Sequence, residues 1–220
     1  MKVVASISVL LAILAFYFTT LFALENEWQG KAEGQRFSIN YKQDEKSIYI
    51  HEGDKHEKIP LSGYAVKELH VKDIDFDGND EVFFLDITGE SVGGELRLFY
   101  WINGKVAEIN EEYYANKITL KQLNRKIYIL LWQHDTENLL FCSEVLFMRQ
   151  GKLLSEHSQK VWDEIIKSYN QSVASEKSKW RKSRYYTYIA MAYQKVGNKT
   201  KADQYMTKAK ILDPKNPFAK

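Results

Sequence analysis

Asp73-Ile74-Asp75-Phe76-Asp77-Gly78-Asn79-Asp80-Glu81 runs directly into Val82-Phe83-Phe84-Leu85-Asp86-Ile87. Acids at alternate positions, then a glycine, then a further carboxylate make a loop able to wrap one hard cation. Asp73, Asp75 and Asp77 converge, Gly78 permits the sharp turn, Asn79 offers its backbone carbonyl, and Glu81 closes the shell. Oxygen-only ligands of net negative charge suit Ca²⁺, whereas Zn²⁺ takes Cys and His. Without an ion the same residues read as an acidic surface turn, for Asp-Gly-Asn is good turn chemistry by itself. Crowded carboxylates repel one another, which favours the cation reading. A helix-loop-helix calcium site needs a bidentate Glu at the twelfth loop position, and here that position is Phe84. The run behind the loop is aromatic and β-branched, so the loop enters a sheet.

In this setting the loop resembles the FG-GAP and VCBS type of calcium loop, Asp-x-Asp-x-Asp-Gly-x-x-Asp followed by a hydrophobic strand. Glu81 stands where that pattern has its ninth-position Asp, and the chain carries one copy. Single-copy loops of this kind also occur in small bacterial envelope proteins resembling the periplasmic lysozyme inhibitors. The resemblance implies bound Ca²⁺ and an exported β protein.

Outward from the loop, residues 36 to 155 read as successive strands. Arg36 to Tyr41 alternates strictly, with Phe37, Ile39 and Tyr41 on one face. Ser47 to Ile50, Lys58 to Leu61 and Leu69 to Val71 precede the loop. Glu95 to Trp101 and Val106 to Ile109 flank Asn103-Gly104, a strong hairpin signal. Ile118 to Leu120, Ile127 to Trp132, Leu139 to Met148 and Leu153-Leu154 continue the pattern. An antiparallel sheet, a sandwich or a partial propeller is expected.

After Ser158 the period lengthens. Val161, Trp162, Ile165, Ile166, Tyr169 and Val173 fall on one helical face. Tyr186-x-x-Ile189-Ala190-x-x-Tyr193, then Gly197, Ala202, Met206, Ala209 and Pro214, is similar to the tetratricopeptide pattern, about 34 residues long. Small Ala190, Ala202 and Ala209 let two helices approach, Gly197 ends the first, and Asp213-Pro214 ends the second. A single repeat normally stacks on neighbours, and the preceding helix is the available one. Tyr185, Tyr188, Tyr193 and Tyr205 exceed what two helices need for mutual packing. Tyrosines suit a surface that meets another protein, so these four are the expected partner-binding residues.

Charge divides the chain. Glu25 to Gly151 holds 15 Lys and Arg against 23 Asp and Glu, a net −8, while Lys152 to Lys220 holds 15 against 6, a net +9. Val3 to Leu24 has no charge, is preceded by Lys2 and is followed by Glu25. Its length fits a bilayer span of about 20 residues better than a secretory core of about 7–15. An uncleaved signal anchor is preferred over a cleaved signal peptide, with the bulk of the chain on the extracytoplasmic side. Export makes nucleic acid an improbable partner for the basic tail.

Catalytic signals are absent from the motif level. The five histidines, at 51, 56, 70, 134 and 157, lack ligand spacing. Cys142 sits in an apolar run and reads as a buried thiol. Gly89, Gly93 and Gly94 open no helix, so they cradle no phosphate. The chain is expected to be α+β: a membrane or signal helix (1–24), a mainly antiparallel β domain (25–156) and a tetratricopeptide-like helical hairpin (157–220). A non-catalytic, membrane-anchored binding module with Ca²⁺ in its β domain is the leading reading. An envelope hydrolase, or a hydrolase inhibitor acting through the β-domain loops, is the alternative.

Overall fold

The strand behind the acidic loop is buried from Glu81 to Ile87 without a break. A strand with no solvent face needs a partner layer on each side, and this requirement sets the architecture. The computed structural model describes residues 27–89, 93–136 and 138–217. Within them the chain makes three consecutive antiparallel meanders. Sheet I contains β1 (Glu27–Ala32), β2 (Gln35–Lys42), β3 (Ser47–Glu52) and β4 (Lys55–Pro60). Sheet II contains β5 (Ala65–Lys72), β6 (Glu81–Gly89), β7 (Gly93–Ile102) and β8 (Lys105–Glu108), with the short β9 (Tyr114–Ala115) paired to β7. Sheet III contains β10 (Lys117–Leu123), β11 (Lys126–His134), β12 (Leu140–Arg149) and β13 (Lys152–Ser155). Three helices follow, α1 (Gln159–Ser175), α2 (Lys179–Lys195) and α3 (Lys199–Leu212).

Period-two alternation distributes the side chains between layers. From β6 and β7, Val82, Phe84, Phe99 and Trp101 meet Phe37, Ile39, Ile48, Ile50 and Ile59 of sheet I. Their neighbours Phe83, Leu85, Leu96 and Leu98 meet Ile118, Ile129, Leu131 and Leu146 of sheet III. On the far side of sheet III, Tyr128, Leu130, Cys142 and Val145 pack under Val161, Trp162, Ile165 and Tyr169 of α1 and under α2. The order of layers is therefore sheet I, sheet II, sheet III, helices. The free face of sheet I carries Ser38, Asn40, Tyr49, His51 and Lys58, which ends the stack in polar side chains.

Buried polar groups hold the crossovers between layers. Asp86, fully buried in β6, accepts from Ser62 N–H (2.9 Å), Ser62 Oγ (3.0 Å) and Gly63 N–H (2.9 Å) where sheet I hands over to sheet II. Gly63 is required there, because a Cβ would lie 2.3 Å from Asp86 Oδ1. Arg97 forks onto Glu108 at 2.6 and 2.8 Å and reaches Asp86 at 3.7 Å.

The expected α+β layout of membrane helix, one β domain and a two-helix hairpin needs correction. Strands take up 47% of the described residues, so the fold is mainly antiparallel β, and its C-terminal layer has three helices. The β part is a stack of three sheets because β6 and β7 are apolar on both faces. The third helix arises because α1 covers sheet III and α2 packs beside it. No helix among the described residues is long and apolar enough to cross a membrane. The proposed anchor, residues 1–24, lies outside the described residues.

Phe83 has no exposed surface and bridges sheets II and III. Phe83→Ala should cost about 3–5 kcal/mol in urea denaturation, while Ile211→Ala, at a side chain 74% exposed, should change the midpoint little.

Candidate functional site

The acidic loop joins β5 to β6, and its own side chains fold it. Gly78 N–H donates to Asp73 Oδ2 (3.1 Å), and Asp77 N–H donates to Asp75 Oδ1 (3.2 Å). Asp77 receives both donors of Asn79, the backbone N–H at 2.7 Å and Nδ2 at 3.1 Å. Gly78 has φ +94° and Phe76 φ +63°, so the chain turns twice through the left-handed region. Asp80 closes the loop at its base, with Oδ1 accepting from Asp73 N–H (2.9 Å) and Oδ2 from Lys31 N–H (2.8 Å) of sheet I. Asn79 Oδ1 accepts from Glu33 N–H in the same hairpin. The loop is thereby clamped to the β1–β2 turn.

Of the four carboxylates expected around a cation, three come together. Ligand atoms of Asp73, Asp75 and Glu81 all lie within 4.8 Å of one another. Asp77 lies outside that group, its oxygens engaged by Asn79, and the Asn79 side chain is spent on Glu33 and Asp77. Asp80, which the spacing did not single out, does the closing. Its partner Lys31 is 49 residues away, so no local pattern reveals it.

Glu81 is 1% exposed and accepts from Ile74 N–H at 2.9 Å. Burial raises its pKa from 4.5 to about 8; the Ile74 N–H opposes this, and the charges of Asp75, Asp77 and Asp73 add to the rise. Burial also raises Asp75, with Asp77 and Asp73 contributing. Asp73 Oδ1 is buried and has no hydrogen-bond partner among the described residues. Chemically, the arrangement is a set of oxygen donors whose ionised form lacks compensation within the protein.

The four tyrosines do not share one outward face. Tyr188 is 2% exposed, stacks on Phe141 at 5.4 Å, and its hydroxyl donates a short hydrogen bond to Asp135 Oδ2. Tyr185 is half-buried and meets Tyr188 edge-on at 6.1 Å. Tyr193 is buried and stacks on half-buried Tyr205 at 5.5 Å, between α2 and α3. Lys201 lies over the Tyr193 ring and Lys208 over that of Tyr205, at 5.0 and 4.5 Å. Sequence reading put all four rings on one partner-facing surface, whereas they form two pairs, Tyr185 with Tyr188 and Tyr193 with Tyr205.

That orientation is set by Asp135, a buried residue that sequence reading missed because it lies in an ordinary polar turn. Asp135 also accepts from Leu139 N–H (2.9 Å) and lies 3.8 Å from the Arg184 guanidinium. Arg184 donates to Asn216 Oδ1 (3.2 Å), and Asn216 Nδ2 donates to Ser183 Oγ and Thr187 Oγ1. Sheet III, α2 and the segment after α3 are joined in one network. Cys142 is buried, and burial pushes its thiol up, so it is no nucleophile.

Two measurements follow from these groups. Between pH 4.5 and 8 the unfolded chain releases the Glu81 proton while the ion-free folded chain retains it. The folded state then binds more protons, so stability falls as pH rises through that window, by a few kcal/mol in order of magnitude. Denaturation in EDTA should show this fall, and Glu81→Gln should flatten it. Asp135→Ala removes the carboxylate that Tyr188 and Arg184 face and should cost about 3–5 kcal/mol in thermal or urea unfolding. No protein-family model, curated protein or solved structure matches the chain.

Proposed function

We propose that the protein is a non-catalytic binding module whose sheet stack is stiffened by one Ca²⁺ at the β5–β6 loop. Asp73, Asp75 and Glu81 supply the first ligands, with water or backbone carbonyls completing the shell. The observation that carries the reading is the convergence of Asp73 and Asp75 on buried Glu81. A buried carboxylate is costly when ionised and unpaired, and a divalent cation removes that cost. The unpartnered Asp73 Oδ1 supports the same reading. All donors are oxygens, which favours Ca²⁺ over Zn²⁺.

In this proposal the helical layer engages a protein partner. The half-buried rings of Tyr185 and Tyr205 are the residues left for that contact, since Tyr188 and Tyr193 are committed inside the chain. An exported location belongs to the proposal on the strength of the uncharged run Val3 to Leu24 alone.

Calorimetric titration of the full-length protein with Ca²⁺ is the test. With no bidentate Glu at the twelfth loop position, the dissociation constant should fall around 10⁻⁴–10⁻³ M, as in extracellular modules. Asp75→Ala should abolish the heat of binding. An unchanged heat in that variant would remove the cation from the proposal.

A further inference from the structure

The hairpin ends of sheets II and III enclose a cavity of about 730 Å³. That volume is in the usual range for a small-molecule site, roughly 300–1,000 Å³. Its floor is the exposed end of the inter-sheet core, with buried Ile74, Ile127 and Met148. On the sheet II side stand Asp75, Asp77, Phe76 and Tyr100. Arg125 and Arg149 stand on the sheet III side, one in the β10–β11 turn and one at the end of β12.

Three properties of this lining define a ligand. Both arginines are exposed, and among the described residues neither makes an ion pair. Two free guanidiniums beside an apolar floor suit a carboxylate, which takes a paired fork of N–H donors. Across the cavity, Asp75 and Asp77 can only accept hydrogen bonds when ionised, so they suit hydroxyl donors and disfavour a second or third negative charge. Phe76 is 50% exposed at the mouth and is held at φ +63°, a conformation uncommon for a bulky residue. Together with the Tyr100 ring it offers flat apolar surface to a ring's carbon–hydrogen face. Strained residues of this kind concentrate at ligand clamps.

We infer that this cavity binds an acidic saccharide, a hydroxyl-rich ring bearing a single carboxylate. The carboxylate lies on Arg125 and Arg149, the hydroxyls donate to Asp75 and Asp77, and the ring face lies against Phe76 and Tyr100. Polyphosphates are opposed by the two aspartates, and purely apolar ligands by the charged walls. The site shares Asp75 with the cation proposal, while its carboxylate-binding half is on sheet III.

The test uses the full-length protein in mild detergent, titrated calorimetrically with galacturonate, neutral galactose and inorganic tripolyphosphate. Each titration is run in EDTA and again with Ca²⁺, which separates this site from the loop ion. Galacturonate should bind at least about tenfold more tightly than galactose, the scale of hydrogen bonds to a charged group. The double variant Arg125→Asn and Arg149→Gln should lose about that factor with an unchanged melting temperature. Asn is chosen at 125 because the backbone there has φ +57°. Phe76→Ala should weaken galacturonate binding. The inference is overturned by equal affinity for the neutral sugar, by an unaffected double variant, by tighter tripolyphosphate binding, or by no galacturonate binding in either buffer.

Discussion

Strand β6 has no face toward water, and the rest of the molecule is arranged to keep it so. Val82 and Phe84 lie against sheet I, and Phe83 and Leu85 against sheet III. At about 1.5–3 kcal/mol for each fully buried large apolar side chain, these four alone represent a substantial fraction of a domain's net stability. Sheet III inherits the same demand on its far face, and the helices answer it with Trp162, Ile165 and Tyr169. Sheet I ends the series by turning polar.

Apolar stacking is non-directional, so it does not by itself fix how one layer sits on the next. Carboxylates at the two outer junctions supply the direction. Asp80 fastens the acidic loop of sheet II to the β1–β2 hairpin of sheet I. Asp86 gathers the Ser62–Gly63 crossover, with Arg97 nearby. Asp135 fastens sheet III to α2 through Tyr188 and Arg184. Each sits at a point where the chain's hydrophobic pattern says nothing about angle or register. The partners are mostly backbone N–H groups, whose positions are fixed by the strands themselves.

Much of this was legible in the residues. Alternation marked the strand at Phe37, Ile39 and Tyr41, the Asn103-Gly104 pair marked a hairpin, and the lengthened period after Ser158 marked α1. Of the Asp73, Asp75 and Asp77 side chains expected to converge, Asp73 and Asp75 do so, together with Glu81. Other features were hidden for identifiable reasons. Glu27 to Ala32 lacks clear alternation, partly because Gly30 yields its side-chain space to Phe37, whose ring a Cβ would approach to 2.3 Å. The number of layers depends on which faces meet across sheets, which a periodicity within one strand does not encode. Asp77 and Asn79 satisfied each other, a local competition that equally spaced acids do not disclose. The cavity was invisible because its arginines lie 24 residues apart, in turns that look unremarkable separately.

The meander topology also writes an order of assembly into the chain. Within each sheet, every neighbour in the path is the next strand in sequence, so closing each pair orders only a short loop. Hairpins therefore form early and cheaply, but none has its faces covered. The ties between layers span much longer separations, 49 residues for Lys31 to Asp80 and 53 for Tyr188 to Asp135. Such contacts become favourable only after the sheets they join exist. Nascent hairpins of sheet II thus wait, apolar on both sides, for sheet III and its helices to arrive from the ribosome. The interval during synthesis between Ile102 and Tyr169 is the period in which this protein is most exposed to aggregation.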